Sequence, residues 1–330
     1  MNADPIRFFD GPRLLADVGG TNARFTLEMA PRQFEAVAVL PCNGYASLGA
    51  AMKAYLASDA AAPHAPALRH AAIAIANPVD GDMVQMTNHT WSFSITALRE
   101  ELDLSTLLVV NDFTALAMAL PHLRPSQRMR IGGGTELAGR TIGLVGPGTG
   151  LGVSGIIPVG EGWSALASEG GHASFAPGDE IEIAIMQQLW REHGHASAER
   201  LLSGPGIELI YRVIAGEVLG AAAITQRALD GSDGSNGPFR RTVDTFCGVL
   251  GAVAGNVALT LGATGGMYIG GGIVPRLGRL FAESPFRARF ETKGRLSGYL
   301  QRIPTFLITE EYPAFLGVSA ILAEQPALRH

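Results

Sequence analysis

Cysteine is almost absent: Cys42 and Cys247 are the only two in 330 residues, and they lie far apart in the chain. That excludes a disulfide framework and a cysteine-rich zinc cluster. Charge of one sign is not concentrated either. The formal net charge is −5, and no long Lys/Arg cluster occurs. The chain therefore offers no extended surface to nucleic acid, although a small anion site built from backbone N–H groups needs no net positive charge. The opening residues, MNADPIRFFDGP, lack the apolar stretch of a secretory signal, so a cytoplasmic location is expected. Long apolar runs are scarce. The one candidate, 246–262, carries Gly251 and Gly255 at GxxxG spacing but is interrupted by Asn256 and Thr260. A membrane span needs about 20 apolar residues, and this run predicts a helix buried in an α/β domain. The sequence G-x-x-x-x-G-K-[ST] is missing, which excludes a P-loop.

What is present is enough apolar material, 47% of residues, for a sizeable core. At roughly 100–200 residues per domain, the length predicts two domains. The first half alternates short β-rich runs with helical spacing: strands over 14–18, 24–29, 34–40, 70–76 and 106–110, and helices over 45–57, 95–102 and 112–120. The second half starts again, with strands over 141–145, 153–159, 265–269 and 302–308. Its helices are expected over 180–193, 206–215, 241–261, 274–281 and 314–323. "Strand, Gly/Thr turn, strand" occurs near residue 20 and again near 148, which predicts two related α/β domains facing a cleft. The Gly/Ser-rich segment 230–238 reads as an exposed loop.

Three glycine clusters follow apolar strands. LADVGGTNAR places Asp17 at a strand end before Gly19, Gly20, Thr21 and Asn22. Glycine lets the main chain approach a ligand, and successive N–H groups can converge on phosphate. Asp17 can hold magnesium through water, since that ion keeps most of its waters and takes one or two carboxylates. The same residues also suit an ordinary hairpin turn. VGPGTGLG repeats the pattern at Gly148, Thr149 and Gly150. Within it GLGVSG matches G-x-G-x-x-G formally, but the residues that follow are β-like, whereas the dinucleotide fingerprint must open a helix. GGMYIGGG runs a strand into Gly270, Gly271 and Gly272, a floor for a flat ring or a tight turn into a helix. Together the three clusters favour one nucleotide site.

Asn111 and Asp112 stand at the carboxyl end of an apolar strand, where open α/β sheets bind ligands. Helix capping accounts well for one of them and less well for both. Glu169 and His172, three apart across two glycines, can grip a polyol; a metal site there lacks a third ligand. Glu199 on its own reads as an acid in a first helical turn.

With these pieces in place, the chain resembles the bacterial glucokinases of the proteobacterial type, within the hexokinase/actin superfamily. LADVGGTNAR and VGPGTGLG resemble its two phosphate motifs, GGMYIGGG its adenosine motif and LLVVNDFTALA its catalytic-aspartate segment. ANPVDGDMVQMTNHTW, SEGGHASFAP and SAERLLSGPG follow in the same order. The resemblance spans about 14–323. It implies a two-domain actin-like (ribonuclease H-like) α/β fold with an interdomain cleft: a small domain over 1–121 joined by a C-terminal helix over 312–330, and a large domain over 122–311. It also implies a Mg-ATP-dependent glucokinase acting at the 6-hydroxyl of D-glucose, the first step of glycolysis. In that scheme Asp112 is the general base, and Asn111, Glu169, His172 and Glu199 hold sugar hydroxyls. Ala16, Asp17, Val18, Gly19, Gly20, Thr21 and Asn22, with Gly148, Thr149, Gly150 and Gly270, Gly271, Gly272, bind ATP. A homodimer with no nucleic-acid or membrane partner is implied as well. Ala16 stands where many relatives have glycine. No cysteine follows His172 before Cys247 and no helix-turn-helix leads the chain, which separates it from the zinc-containing repressor/kinase relatives. Another hexose as acceptor, a non-catalytic sugar sensor, an actin-like ATPase and a different phosphoryl donor are the rival readings.

Overall fold

The computed structural model describes residues 10–232, 234 and 236–324. The chain divides into two units, one formed by residues up to Leu123 together with those from Glu310 on, the other by Arg124–Thr309. Residues 1–9, 325–330, and 233 and 235 of the expected 230–238 loop lie outside the described residues.

In the first unit, β1 (Arg13–Val18), β2 (Asn22–Ala30) and β3 (Gln33–Pro41) form an antiparallel meander. It is followed by α1 (Leu48–Leu56), β4 (His70–Ile75), the small pair β5 (Met83–Gln85) and β6 (Ser92–Ser94), α2 (Ile95–Glu101), β7 (Thr106–Asn111) and α3 (Asp112–Ala119). The sheet order is β3-β2-β1-β4-β7, with β4 parallel to β1 and β7 parallel to β4. Period-2 alternation assigns the faces of β1. Leu14, Ala16 and Val18 join the core that holds Met52, Tyr55 and Leu98 of α1 and α2. Leu15 faces the other way, toward Ala115 of α3.

The second unit runs β8 (Arg128–Ile131), β9 (Ile142–Pro147), β10 (Leu151–Val159), β11 (Gly162–Ala165), α4 (Glu180–His193), α5 (Ala198–Leu201), α6 (Gly204–Ala215), α7 (Ala221–Asp230) and α8 (Pro238–Leu261). It continues with β12 (Gly266–Ile269), α9 (Val274–Leu277), α10 (Arg279–Ala282), α11 (Phe286–Glu291), α12 (Ser297–Gln301) and β13 (Thr305–Ile308). Its sheet order is β11-β10-β9-β12-β13-β8. An antiparallel meander followed by two parallel strands repeats the arrangement of the first sheet, with β8 added antiparallel at the far edge. The repeat read from the two Gly/Thr turns is thus a repeat of topology.

The last element among the described residues is α13 (Pro313–Ala323), which belongs to the first unit. Its Phe315, Val318 and Leu322 share the core of Leu15, Ala72 and Ala115. Ser319 donates to the buried carboxylate of Glu28 at 2.6 Å, and Arg13 lies 3.6 Å from the same group.

The helix expected over 241–261 is α8, long and apolar enough to cross a membrane by composition, with 72% of its most apolar window buried inside the fold. The GxxxG spacing has a packing reason: a Cβ on Gly251 would collide with the Phe286 carbonyl, and one on Gly255 would lie 2.7 Å from that of Phe290. The two glycines let α11 lie directly on α8. One expected element is corrected. The helix over 274–281 is broken into α9 and α10 at Gly278, whose φ of 52° is left-handed and stops helical hydrogen bonding.

Candidate functional site

The first unit gathers residues 16–22, 111 and 112 at the carboxyl ends of β1 and β7. Ala16 and Val18 are wholly buried and hold the strand, while Asp17 between them takes the opposite face. The loop that follows is short. Gly19 N–H is bonded to the Asn22 carbonyl at 3.0 Å, whereas the N–H groups of Gly20 and Thr21 meet no protein acceptor among the described residues. Beneath the loop lies Cys42, whose N–H donates to Thr21 O at 2.9 Å and whose thiol donates to Gly19 O at 3.4 Å.

Asn111 caps α3, its Oδ1 accepting from Phe113 N–H at 2.9 Å and Thr114 N–H at 3.2 Å. Its amide nitrogen donates to Asp112 Oδ1 at 3.1 Å and to the Asn77 carbonyl at 3.4 Å. Capping and orientation of Asp112 are therefore both served by one side chain. Asp112 also accepts from Phe113 N–H at 2.8 Å. Burial, followed by the negative charge of Asp17, pushes its carboxyl up to about 6 despite these donors. Asp17 is itself raised by burial, which outweighs Arg24 at 3.2 Å.

The two raised carboxylates test the fit of magnesium. Desolvated like charges, with a guanidinium at Asp17 alone, are relieved by a divalent cation. Magnesium needs only one or two carboxylates besides water and phosphate oxygens. The donor set fits Asp17 and Asp112, and no cluster of three or more His, Cys, Asp or Glu exists among the described residues to form an all-protein cage.

The second unit gathers the other expected residues. Its sheet places the loop 148–150 beside 270–272, because β9 and β12 are parallel neighbours. Gly271 has φ +79°, and a Cβ there would run into the Pro147 carbonyl, so only glycine lets the two loops touch. The N–H groups of Thr149, Gly150, Gly271 and Gly272 meet no protein acceptor among the described residues, whereas Gly148 N–H and Gly270 N–H are bonded to Gly150 O and Val145 O, both at 2.8 Å. Against the same loop stands the amino end of α6: Gly204 N–H donates to Gly148 O at 3.2 Å, and Ser203 caps the helix through Gly206 N–H. The positive end of the helix dipole adds to the anion-binding character of the loop.

Glu169, His172 and Glu199 converge although 30 residues separate the first from the last. A bridge between Ser174 and Ser197, with Ala198 N–H bonded to Ala173 O at 3.0 Å, ties their segments together. His172 Nε2 is 3.9 Å from Glu169 and Nδ1 is 3.8 Å from Glu199, too long for hydrogen bonds. Their side chains stay open to a ligand, with exposures of 76% for Glu169, 61% for His172 and 31% for Glu199.

Two contributors escaped the sequence reading. Asn77 organises the approach to Asp112: its Oδ1 accepts from Thr87 N–H and Oγ at 2.9 and 2.6 Å, and its carbonyl receives Asn111. The Asn-Pro turn signal was the available clue. The other is Leu151, whose N–H donates to Glu199 Oε2 at 3.1 Å, a backbone contact that no side-chain pattern announces.

The family model Glucokinase matches residues 14–325. The bifunctional protein glk of Paraburkholderia xenovorans is 57% identical over 324 residues; the match covers 96% of this chain and 49% of that relative. The chain thus spans about half the length of this and similar Burkholderia relatives. A glucokinase of Chromobacterium violaceum is 52% identical over 324 residues, covering 96% of this chain and 91% of the relative. Among solved structures, glucokinase from an Antarctic psychrotroph superposes with a TM-score of 0.86 at 34% identity, covering 96% of this chain and all of that one.

Proposed function

This chain belongs to the glucokinase family, and on that premise we propose that it transfers the γ-phosphoryl group of ATP to the 6-hydroxyl of D-glucose, giving glucose 6-phosphate and ADP. The observation that carries the reading is Asp112: a carboxylate at the end of a parallel strand, oriented by Asn111 and raised to about 6. At pH 7 such a group is about nine-tenths ionised, yet more basic than an ordinary aspartate. It suits a base that orients a sugar hydroxyl and takes its proton as the oxygen–phosphorus bond forms.

Phosphoryl transfer asks mainly for alignment and charge neutralisation. The N–H groups at Gly20 and Thr21, at Thr149 and Gly150, and at Gly271 and Gly272, which meet no protein acceptor among the described residues, supply donors to the nucleotide. Glu169, His172 and Glu199 present acceptors and a donor to the remaining hydroxyls of the hexose. Asp17 and Asp112 would hold magnesium, which would supply neutralisation of the phosphate charge. The cytoplasm as location and a homodimer as assembly, with no nucleic-acid or membrane partner, belong to the same proposal and rest on the family resemblance.

The test is turnover of purified protein with Mg-ATP and glucose, fructose, mannose or N-acetylglucosamine separately, against Asp112→Ala. Glucose 6-phosphate from the wild type alone supports the reading. Turnover of a different sugar moves the substrate and keeps the mechanism, and binding of sugar and ATP without product makes the chain a sensor.

A further inference from the structure

The polar cluster of the second unit is built on one peptide of the phosphate loop. Leu151 opens β10 directly after 148–150. Its N–H donates to Glu199 Oε2 at 3.1 Å, and its carbonyl fills the space that a Cβ on Gly171 would need. Gly150 has a parallel relation to Glu199: a Cβ there would overlap Oε2 and lie 3.1 Å from Cδ. Its backbone is not in the left-handed region, so the main chain would accept alanine. The space for Cβ is taken by the carboxylate.

Resting on the reading of Glu199 as a sugar-binding acid, we propose that the Gly150–Leu151 peptide is its positioning element, so that a phosphate-loop glycine sets sugar affinity. Leu151 N–H holds Oε2, and the missing Cβ of Gly150 gives the carboxylate its place. Oε1 stays turned toward His172, 3.8 Å away, a spacing at which one hydroxyl set beside the pair, about 2.8 Å from each, bonds to both. Of the loop's donors, Leu151 N–H is thereby committed to Glu199, and Thr149 and Gly150 are left for phosphate. The same strand end packs against Gly171, so the Glu169–His172 segment and Glu199 are referenced to one backbone residue.

The experiment is a cycle of Gly150→Ala, Glu199→Asp and the double variant. Each is titrated with glucose by calorimetry without nucleotide, then assayed for KM of glucose and of ATP. Gly150→Ala weakens glucose at least tenfold in the titration without nucleotide, where the loop's contacts to phosphate play no part. The double variant binds glucose no worse than Glu199→Asp, because the shorter acid no longer meets the added methyl. Hydrogen exchange of the Leu151 amide, faster in Glu199→Ala than in the wild type, reports the bond without any sugar. Wild-type affinity for glucose in Gly150→Ala, losses that multiply in the double variant, or an unchanged Leu151 amide overturns the proposal. A wild-type chain that takes no glucose overturns the functional reading and this inference with it.

Discussion

The negative charge of Asp17 adds to burial in raising the carboxyl of Asp112 to about 6, with Arg24 3.2 Å from Asp17 as the compensating cation. The sheet register makes this possible. Asp17 stands opposite Ala74 on β4, and Ala74 opposite Val110 on β7, so the ends of β1 and β7 carry the two acids to the same edge.

The acid limb of kcat/KM for glucose should therefore have its midpoint near pH 6. Asp17→Asn removes a like charge, favours ionised Asp112 and moves that limb to lower pH. A limb that stays in place in Asp17→Asn would assign it to another group.

Asp112→Asn should lower kcat by about 10²–10⁴-fold and yet stabilise the fold. The folded carboxyl is raised from 3.8 to about 6, so the ionised group costs stability above pH 6. That cost fades as pH falls from 6 toward 3.8. Thermal unfolding at pH 8 should show Asp112→Asn more stable by about 1–3 kcal/mol, with the difference gone at pH 4.

Gly271 and Gly272 should respond differently to alanine. At Gly271 a Cβ meets the Pro147 carbonyl in a left-handed backbone, whereas at Gly272 it meets nothing within 4 Å. Gly271→Ala should lose about 2 kcal/mol or more of stability. Gly272→Ala should melt with the wild type and raise KM for ATP. Melting curves and ATP titrations of the pair check this.

Both thiols should resist labelling in the native protein. Cys42 and Cys247 are fully buried, and burial raises both, Cys247 to about 12. At pH 8 neither is a thiolate to any useful extent. A disulfide reagent should react only at the rate of unfolding, and a fast stoichiometric reaction would contradict the burial.

Gly251→Val should be the harshest change in α8, since the first added carbon already collides with the Phe286 carbonyl. A loss of about 3 kcal/mol or more is expected, read as a lower denaturant midpoint. An Asn256→Ala change on an exposed position of the same helix should cost less.

Much of this was legible in the residues. The helix over 180–193 was bounded correctly because Asp179 caps it through Glu182 N–H and Gly194 ends it at φ 72°, both local signals. The strands before each glycine cluster were found for the same reason: apolar runs closed by turn residues. β8, with its pattern of Arg and apolar residues, and the short helices α11 and α12 went unread. β8 is an edge strand specified by its pairing with β13, and the short helices are held by packing rather than by propensity.

The sequence by itself determined what depends on neighbours a few residues away. The glycine turns, the capping Asn111 and the Glu169–His172 pair are of that kind, as are the two successive meanders. Tertiary structure alone decided what depends on neighbours in space. It placed Asp17 close enough to make Asp112 more basic, set α13 on the first sheet through Ser319 and Glu28, and brought Glu199 onto the Leu151 amide. Turn and cap energies are set by local dihedral angles and short-range hydrogen bonds. Desolvation and charge–charge interaction depend on which distant segments the sheets bring together.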